Sequence, residues 1–295
     1  MGEAGRDEVE DHERRRARTL ARLCSVFHNL SYYCPEMREF AAVGLPEYWR
    51  AYVAYRSAPL GPVPAPVVTA AFYNFSPRVI EAAIPSAWDR LTPARVLDLR
   101  DELIDRALRR ILGPAVDDAA LARAASLARR GIERSDAAGR VLFAAHQALP
   151  WPEEAHGQLF RAATLWREHR GDGHNIALAA ADIDGLECHV LLGGKGVVTR
   201  EVIGKIRGWT AQEWDAAQQR LVKRGVLEPD GRFTAAGRVL HADIEAHTDT
   251  LSAGPRRALG ADDCDELIEV LEPYVARLVE HGGVPSSWPP KRLPR

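Results

Sequence analysis

Apolar residues recur at three- and four-residue spacing through most of this chain, and alternating strand patterns are scarce. The stretches 93-PARVLDLRDELIDRALRRIL-112 and 153-EEAHGQLFRAATLWREH-169, rich in Ala, Leu, Arg and Glu, carry the helical period clearly. The expected class is mainly α. One short segment departs from it: in 225-GVLEPDGRFTAAG-237, Pro-Asp-Gly separates Gly-Val-Leu from Arg-Phe-Thr, which predicts a compact hairpin. It follows 199-TREVIGKIRGWTAQEWDAAQQRLVKRG-225, where two helical patterns meet at Gly208-Trp209. Thr210 is placed to cap the second helix, Gly225 to end it, and Thr234 to cap the helix after the hairpin. Helix, turn, helix and hairpin predict a winged helix.

The exit helix has a counterpart in the first half. The stretch 92-TPARVLDLRDE-102 matches 234-TAAGRVLHADIE-245 with Gly237 as a single insertion, and each is followed by Leu-Gly and then an Asp-Asp pair. Upstream, 59-PLGPVPAPVVTAAFYNFSPRVIEAA-83 runs beside 194-GKGVVTREVIGKIRGWTAQEWDAA-217, with Phe75-Ser76 over Trp209-Thr210. The collinearity predicts two tandem winged-helix units forming an intramolecular pseudo-dimer: a degenerate unit over 14–135, a crossover over 136–152 and a second unit over 153–284. Residues 1–13 and 285–295 are expected to be tails.

Composition narrows the class. With 295 residues and 46% hydrophobic positions, the chain can bury one large core or two ordinary ones. A net charge of −2 gives no overall basic field, and Glu213 and Asp215 sit at the start of the helix that would enter a DNA groove, so DNA is a possible but disfavoured partner. Pro85 interrupts the equivalent helix of the first unit, expected over 76–88. Four scattered cysteines without paired spacing fit a reducing cytoplasm, and no apolar run is long enough for a membrane span. The chain is expected to act as a monomer or homodimer.

Candidate chemistry concentrates in two polar segments at similar distances ahead of the two units, 28-HNLSYYCPEMREFAAVGL-45 and 169-HRGDGHNIALAAADIDGL-186. If their helices meet, His28, Tyr32, Tyr33, Glu36, His169, Arg170, Asp172 and His174 converge on one cleft, with Arg56 and Asn74 nearby. Arg170 and Arg56 would hold an anionic group of a small molecule, with His169, Tyr32, Tyr33 and Asn74 as further contacts. His174, oriented by Asp172, and His28 with Glu36 would supply acid-base chemistry. Gly171 and Gly173 suggest a chain break, so that Asp172 caps a helix starting at His174 or Asn175. No metal site is assigned, because His169, Asp172 and His174 lack a clear fourth ligand, and the cofactor is left open.

The "KRGVL" helix end and "T-x-x-G" exit helix resemble the winged-helix domain of MarR-type regulators. The segments "YRSAPLG…NFSP" and "HRGDGH…GLE" are similar to those of an actinobacterial winged-helix family over residues 20 to 284. The resemblance implies ligand binding between a helical interface and the winged domain. The expected function is a small-molecule-binding protein, plausible as an acid-base enzyme acting on an acidic metabolite or natural product of secondary metabolism. A ligand-responsive transcriptional regulator and a ligand-sequestering resistance protein are the alternatives.

Overall fold

The computed structural model describes the backbone over residues 3–284 and side chains from Arg16. Among these residues the chain forms a first series of helices: α1 (Glu3–Tyr33), a 3-10 turn (Pro35–Val43), α2 (Tyr48–Ser57), α3 (Ala65–Phe72), α4 (Pro77–Ala83), α5 (Pro93–Leu112) and α6 (Ala119–Ile132). Helix α7 (Val141–Gln147) leads to a second series: α8 (Ala155–Ala180), α9 (Glu187–Gly194), α10 (Arg200–Arg207), α11 (Ala211–Lys223), α12 (Ala235–Leu251), α13 (Ala253–Leu259) and α14 (Ala261–Glu280). Helix α1 already covers most of the segment expected to be an N-terminal tail, and the tail expected over 285–295 lies outside the described residues.

The long helices build the core. Helix α8 packs against α1, α6 and α12, while α1 also packs against α14, and α14 against α6. The larger core joins Phe27 and Leu30 of α1, Tyr52 of α2, Leu103 and Leu108 of α5, Leu165 of α8, and Leu267 and Leu271 of α14. A smaller one surrounds Trp214, Leu221, Leu227 and Ile244. Both follow from the three-to-four spacing, which puts one stripe of each helix against its neighbours.

Local signals fix the helix-turn-helix. Gly208 adopts φ 77° between α10 and α11, a left-handed conformation that glycine takes without penalty. Thr210 accepts from the Glu213 amide while the Glu213 carboxylate accepts from the Thr210 amide, which satisfies two orphan donors at once. After Gly225 the chain forms a tight hairpin with one antiparallel bridge, Leu227 to Phe233, and Glu228 N–H donates to Arg232 O at 2.8 Å. Thr234 then caps α12 by accepting from the Gly237 amide at 2.9 Å. In the first series α4 stops at Ala83, well short of 88.

The turns of the two series meet. Ser76 N–H donates to Arg207 O at 2.9 Å, Trp209 Nε1–H to Asn74 O at 3.0 Å, and Tyr73 O–H to Ile183 O at 2.5 Å. Arg78 grips Gly208 O and both oxygens of Glu213. A Cβ on Gly185 would stand 2.0 Å from the Tyr73 carbonyl oxygen, so only glycine allows this approach.

One local expectation fails. Helix α8 runs unbroken through Gly171 and Gly173, and Asp172 caps no helix starting at His174 or Asn175. A glycine in a helix costs only about 1 kcal/mol relative to alanine, which packing on three neighbouring helices outweighs.

Candidate functional site

The C-terminal end of α1, the 3-10 turn, the N-terminal part of α2, Arg167 of α8 and the end of α10 enclose a cavity of about 630 Å³. Its wall is aromatic: Tyr32, Tyr33, Tyr48, Trp49 and Tyr52, with Arg38, Arg167 and Arg207 contributing cations. The positions 48, 49, 52 and 55 fall on neighbouring turns of α2, so Trp49 packs on Tyr52 at 5.5 Å between ring centres and Tyr52 on Tyr32 at 5.0 Å. Tyr33 and Tyr48 are about half exposed and stand at the mouth.

Behind this wall lies an ion cluster. Glu168, with 0% of its surface exposed, accepts from Arg56 through both oxygens at 3.3 Å and from Arg167 at 2.7 Å. Arg56 also donates to the Tyr52 hydroxyl at 3.3 Å and stacks over Phe72 at 4.3 Å. Arg207 stacks over Phe75 at 4.2 Å and donates to the Ile206 carbonyl at 3.3 Å, yet its Nε is buried without a hydrogen-bond partner. Among the described residues it has no carboxylate partner.

Three guanidiniums, those of Arg56, Arg167 and Arg207, thus lie near the cavity, and the carboxylate of Glu168 is held by Arg56 and Arg167 but not by Arg207. Burial resists phenolate formation at Tyr52, but Arg56, Arg207 and Arg167 outweigh it and hold Tyr52 below the ordinary tyrosine range. Burial is also opposed at Glu168, where Arg167 and Arg56 keep the carboxylate ionised far into acid.

His28 connects the wall to α8. Because Thr164 Oγ1–H donates to Phe160 O, the same oxygen accepts from His28 Nδ1–H at 3.1 Å, which leaves Nε2 to accept from the Tyr32 hydroxyl. Burial, helped by the Arg167 charge, lowers the His28 pKa well below its usual value and keeps the ring neutral.

The expected convergence of ten residues occurs only in part. His28, Tyr32, Tyr33 and Arg56 gather at or directly behind the cavity. Glu36 does not join them, because it turns outward into a bidentate pair with Arg110 at 2.6 and 3.1 Å. Asn74 contributes its backbone carbonyl to His189 and Trp209. His174 lies ten residues beyond Thr164 on α8, about 15 Å along the axis, and bonds Thr248 Oγ1 of α12 at 2.9 Å. His28 and His174 thus occupy separate surroundings.

The His-Arg-Gly-Asp-Gly-His segment clasps neighbouring helices. Asp172 Oδ2 accepts from Phe143 N–H at 2.9 Å, capping α7 from across the interface where Arg140 supplies no side-chain cap of its own. Burial, with Glu168 nearby, raises Asp172 to about 6. Gly173 leaves room for Arg140, whose Nη1 would lie 2.7 Å from a Cβ there and which donates to the His169 carbonyl. Arg170 reaches Asp249 at 3.5 Å and Glu245 at 3.9 Å, and the His169 ring meets Phe143 edge-on at 5.0 Å. No group of three or more His, Cys, Asp or Glu among the described residues is arranged to hold a metal ion.

The sequence pattern of a helix-turn-helix family matches residues 17–285. The chain belongs to that family. No curated protein and no solved structure matches it. In this helix-turn-helix protein the second helix, α11, presents Gln212, Asp215, Gln219 and Lys223 outward. Asp215 is paired with Arg200 at 2.9 Å, and Arg78, chief among its partners, pulls Glu213 down to about 2. No helix among the described residues is long and apolar enough to cross a membrane.

Proposed function

We propose that this helix-turn-helix protein binds a small aromatic carboxylate in the cavity between α1, α2 and α10. The observation that supports the reading is the surplus of desolvated positive charge, above all at part-buried Arg207, whose buried Nε has no partner among the described residues. A desolvated cation without a counter-ion is costly, and a ligand carboxylate would supply both the charge and the missing acceptor. The tyrosines and Trp49 offer faces for a ring, and the volume lies within the range of small-molecule sites.

The same reading takes the chain as two winged-helix units, 14–135 and 153–284, fused as a pseudo-dimer of MarR-like character. The order of helices repeats, α1–α6 against α8–α12 and α14, and the long helices pair crosswise, α1 with α14 and α8 with α6. Equivalent turns meeting face to face is the contact expected near a two-fold axis.

Acid-base turnover is the weaker part of the expectation, since Glu36, Asp172 and His174 each serve a structural partner away from the cavity. A regulator is the second reading, favoured by family membership and by α10, which carries Arg207 into the cavity. Trp49 supplies the assay. Fluorescence titration with 2-naphthoate should show saturable quenching, and 2-naphthamide should bind at least roughly tenfold more weakly. Equal affinity for acid and amide defeats the proposal. Gel shifts with and without naphthoate, at two salt concentrations, decide whether occupancy is read out on DNA.

A further inference from the structure

A second cavity lies on the other side of Thr164. It measures about 120 Å³ and is bounded by Arg100, Ile104, His146, Phe160, Arg161 and Thr164, with the carboxylates of Asp101, Glu153 and Glu154 and that of Asp105, which is held by His156 and Arg109, around it. Its polar lining is deeply buried: Arg161 is 6% exposed and His146 3%. Both carry unused hydrogen-bonding atoms, Arg161 Nε and His146 Nε2, neither of which has a partner among the described residues. Arg161 Nη2 donates to backbone, reaching His146 O at 2.6 Å and Leu149 O at 2.5 Å, and the guanidinium lies over Trp151 at 5.4 Å. No carboxylate pairs with Arg161 among the described residues, and the neighbouring Arg100 is already matched by Asp101 at 2.7 Å.

We propose that this cavity is a binding site for a short-chain monocarboxylate, separate from the aromatic cavity. The carboxylate would accept from Arg161 Nε–H and His146 Nε2–H, and the alkyl end would lie against Ile104, Phe160 and Pro152. Size limits the ligand: an engineered cavity of about 150 Å³ takes one benzene ring, so this one takes a slightly smaller molecule such as butyrate. Charge limits it further. The exposed carboxylates of Asp101, Glu153 and Glu154 at the rim repel a second negative charge, which disfavours phosphate and dicarboxylates.

Calorimetric titration of the full chain with butyrate, butyramide, succinate and phosphate tests the site without any substitution. Butyrate should bind, and the other three should bind at least roughly tenfold more weakly. Absence of butyrate binding at millimolar concentration, or phosphate binding equally well, overturns the proposal. In a second arm, Arg161→Met should weaken butyrate roughly tenfold or more, Arg161→Lys should restore part of that loss, and naphthoate binding should be unchanged in both. Butyrate affinity unaffected by Arg161→Met places the ligand elsewhere. Loss of naphthoate binding with butyrate intact would separate failure of the first cavity from failure of this one.

Discussion

Arg207→Met tests the central claim because the substitution keeps the apolar stem and removes the guanidinium, with its long 3.3 Å bond to the Ile206 carbonyl. In the unliganded protein two effects oppose each other. Relief of a buried donor without a partner contributes about 1–3 kcal/mol in favour of the variant. Loss of the stacking over Phe75, at 4.2 Å, costs about 0.5–2 kcal/mol. The net change should therefore be small and can be stabilising, against the usual trend for substitutions. Ligand binding should respond quite differently, since one charge-assisted hydrogen bond is worth about 1.5–3 kcal/mol, or about 10–150-fold in affinity. Urea denaturation with and without naphthoate reads both quantities. At a ligand concentration one hundred times the wild-type dissociation constant, wild type should gain about 2.7 kcal/mol, whereas a variant binding about one hundredfold more weakly gains about 0.4 kcal/mol. A variant that loses more than about 3 kcal/mol unliganded while keeping full affinity would refute the reasoning and make Arg207 part of the scaffold.

Three further outcomes follow from the same geometry. Glu168→Gln should cost about 3–5 kcal/mol in urea denaturation, because Arg56 and Arg167 lose their shared anion, while the affinity for naphthoate rises. Asp172→Ala should cost about 1 kcal/mol through the lost cap on α7 and leave ligand affinity unchanged; a large affinity loss would return Asp172 to the binding machinery. Stability should fall between pH 6.5 and 4: burial above all lowers His146 to about 3 and His169 and His189 to about 4, so over that window the unfolded chain binds protons that the folded one refuses. Asp172, raised to about 6, acts in the opposite sense but is one group against these three and His28, so the urea midpoint at pH 5 should lie below that at pH 7.

Helix ends were legible in the sequence wherever the cap is local. Thr210 with Glu213, and Thr234 with Gly237, need only their own backbone, and each stands where the pattern places it. The His-Arg-Gly-Asp-Gly-His segment misleads because its partners are remote: Asp172 is a cap, but for α7, and Gly173 is there for Arg140. Local reading sees two glycines and infers a break. Arg207 escapes for a related reason, since "KIRGW" reads as an ordinary charged helix end and only tertiary placement strips the guanidinium of a carboxylate. The aromatic wall does leave a local signal. The stretch 48-YWRAYVAYRS-57 places Tyr48, Tyr52 and Tyr55 on one stripe with Arg56 beside it, a denser aromatic face than packing alone requires.

The inward turn of the helix-turn-helix links these observations. In a DNA reader the first residues of the second helix must be free to enter the groove. Here that end is tied to the other half of the chain, through Arg78 on Glu213 and Trp209 on Asn74, and its outward face carries a carboxylate already paired with Arg200. The contact that occupies the turn also sets the end of α10, because Ser76 holds the Arg207 carbonyl while the Arg207 side chain enters the cavity. A carboxylate drawn to that guanidinium would pull on the residue that joins the two turns. On the proposed reading, ligand occupancy and the contact between the two turns would be coupled through Arg207, whether the output is a change at α11 or only a tighter hold on the ligand.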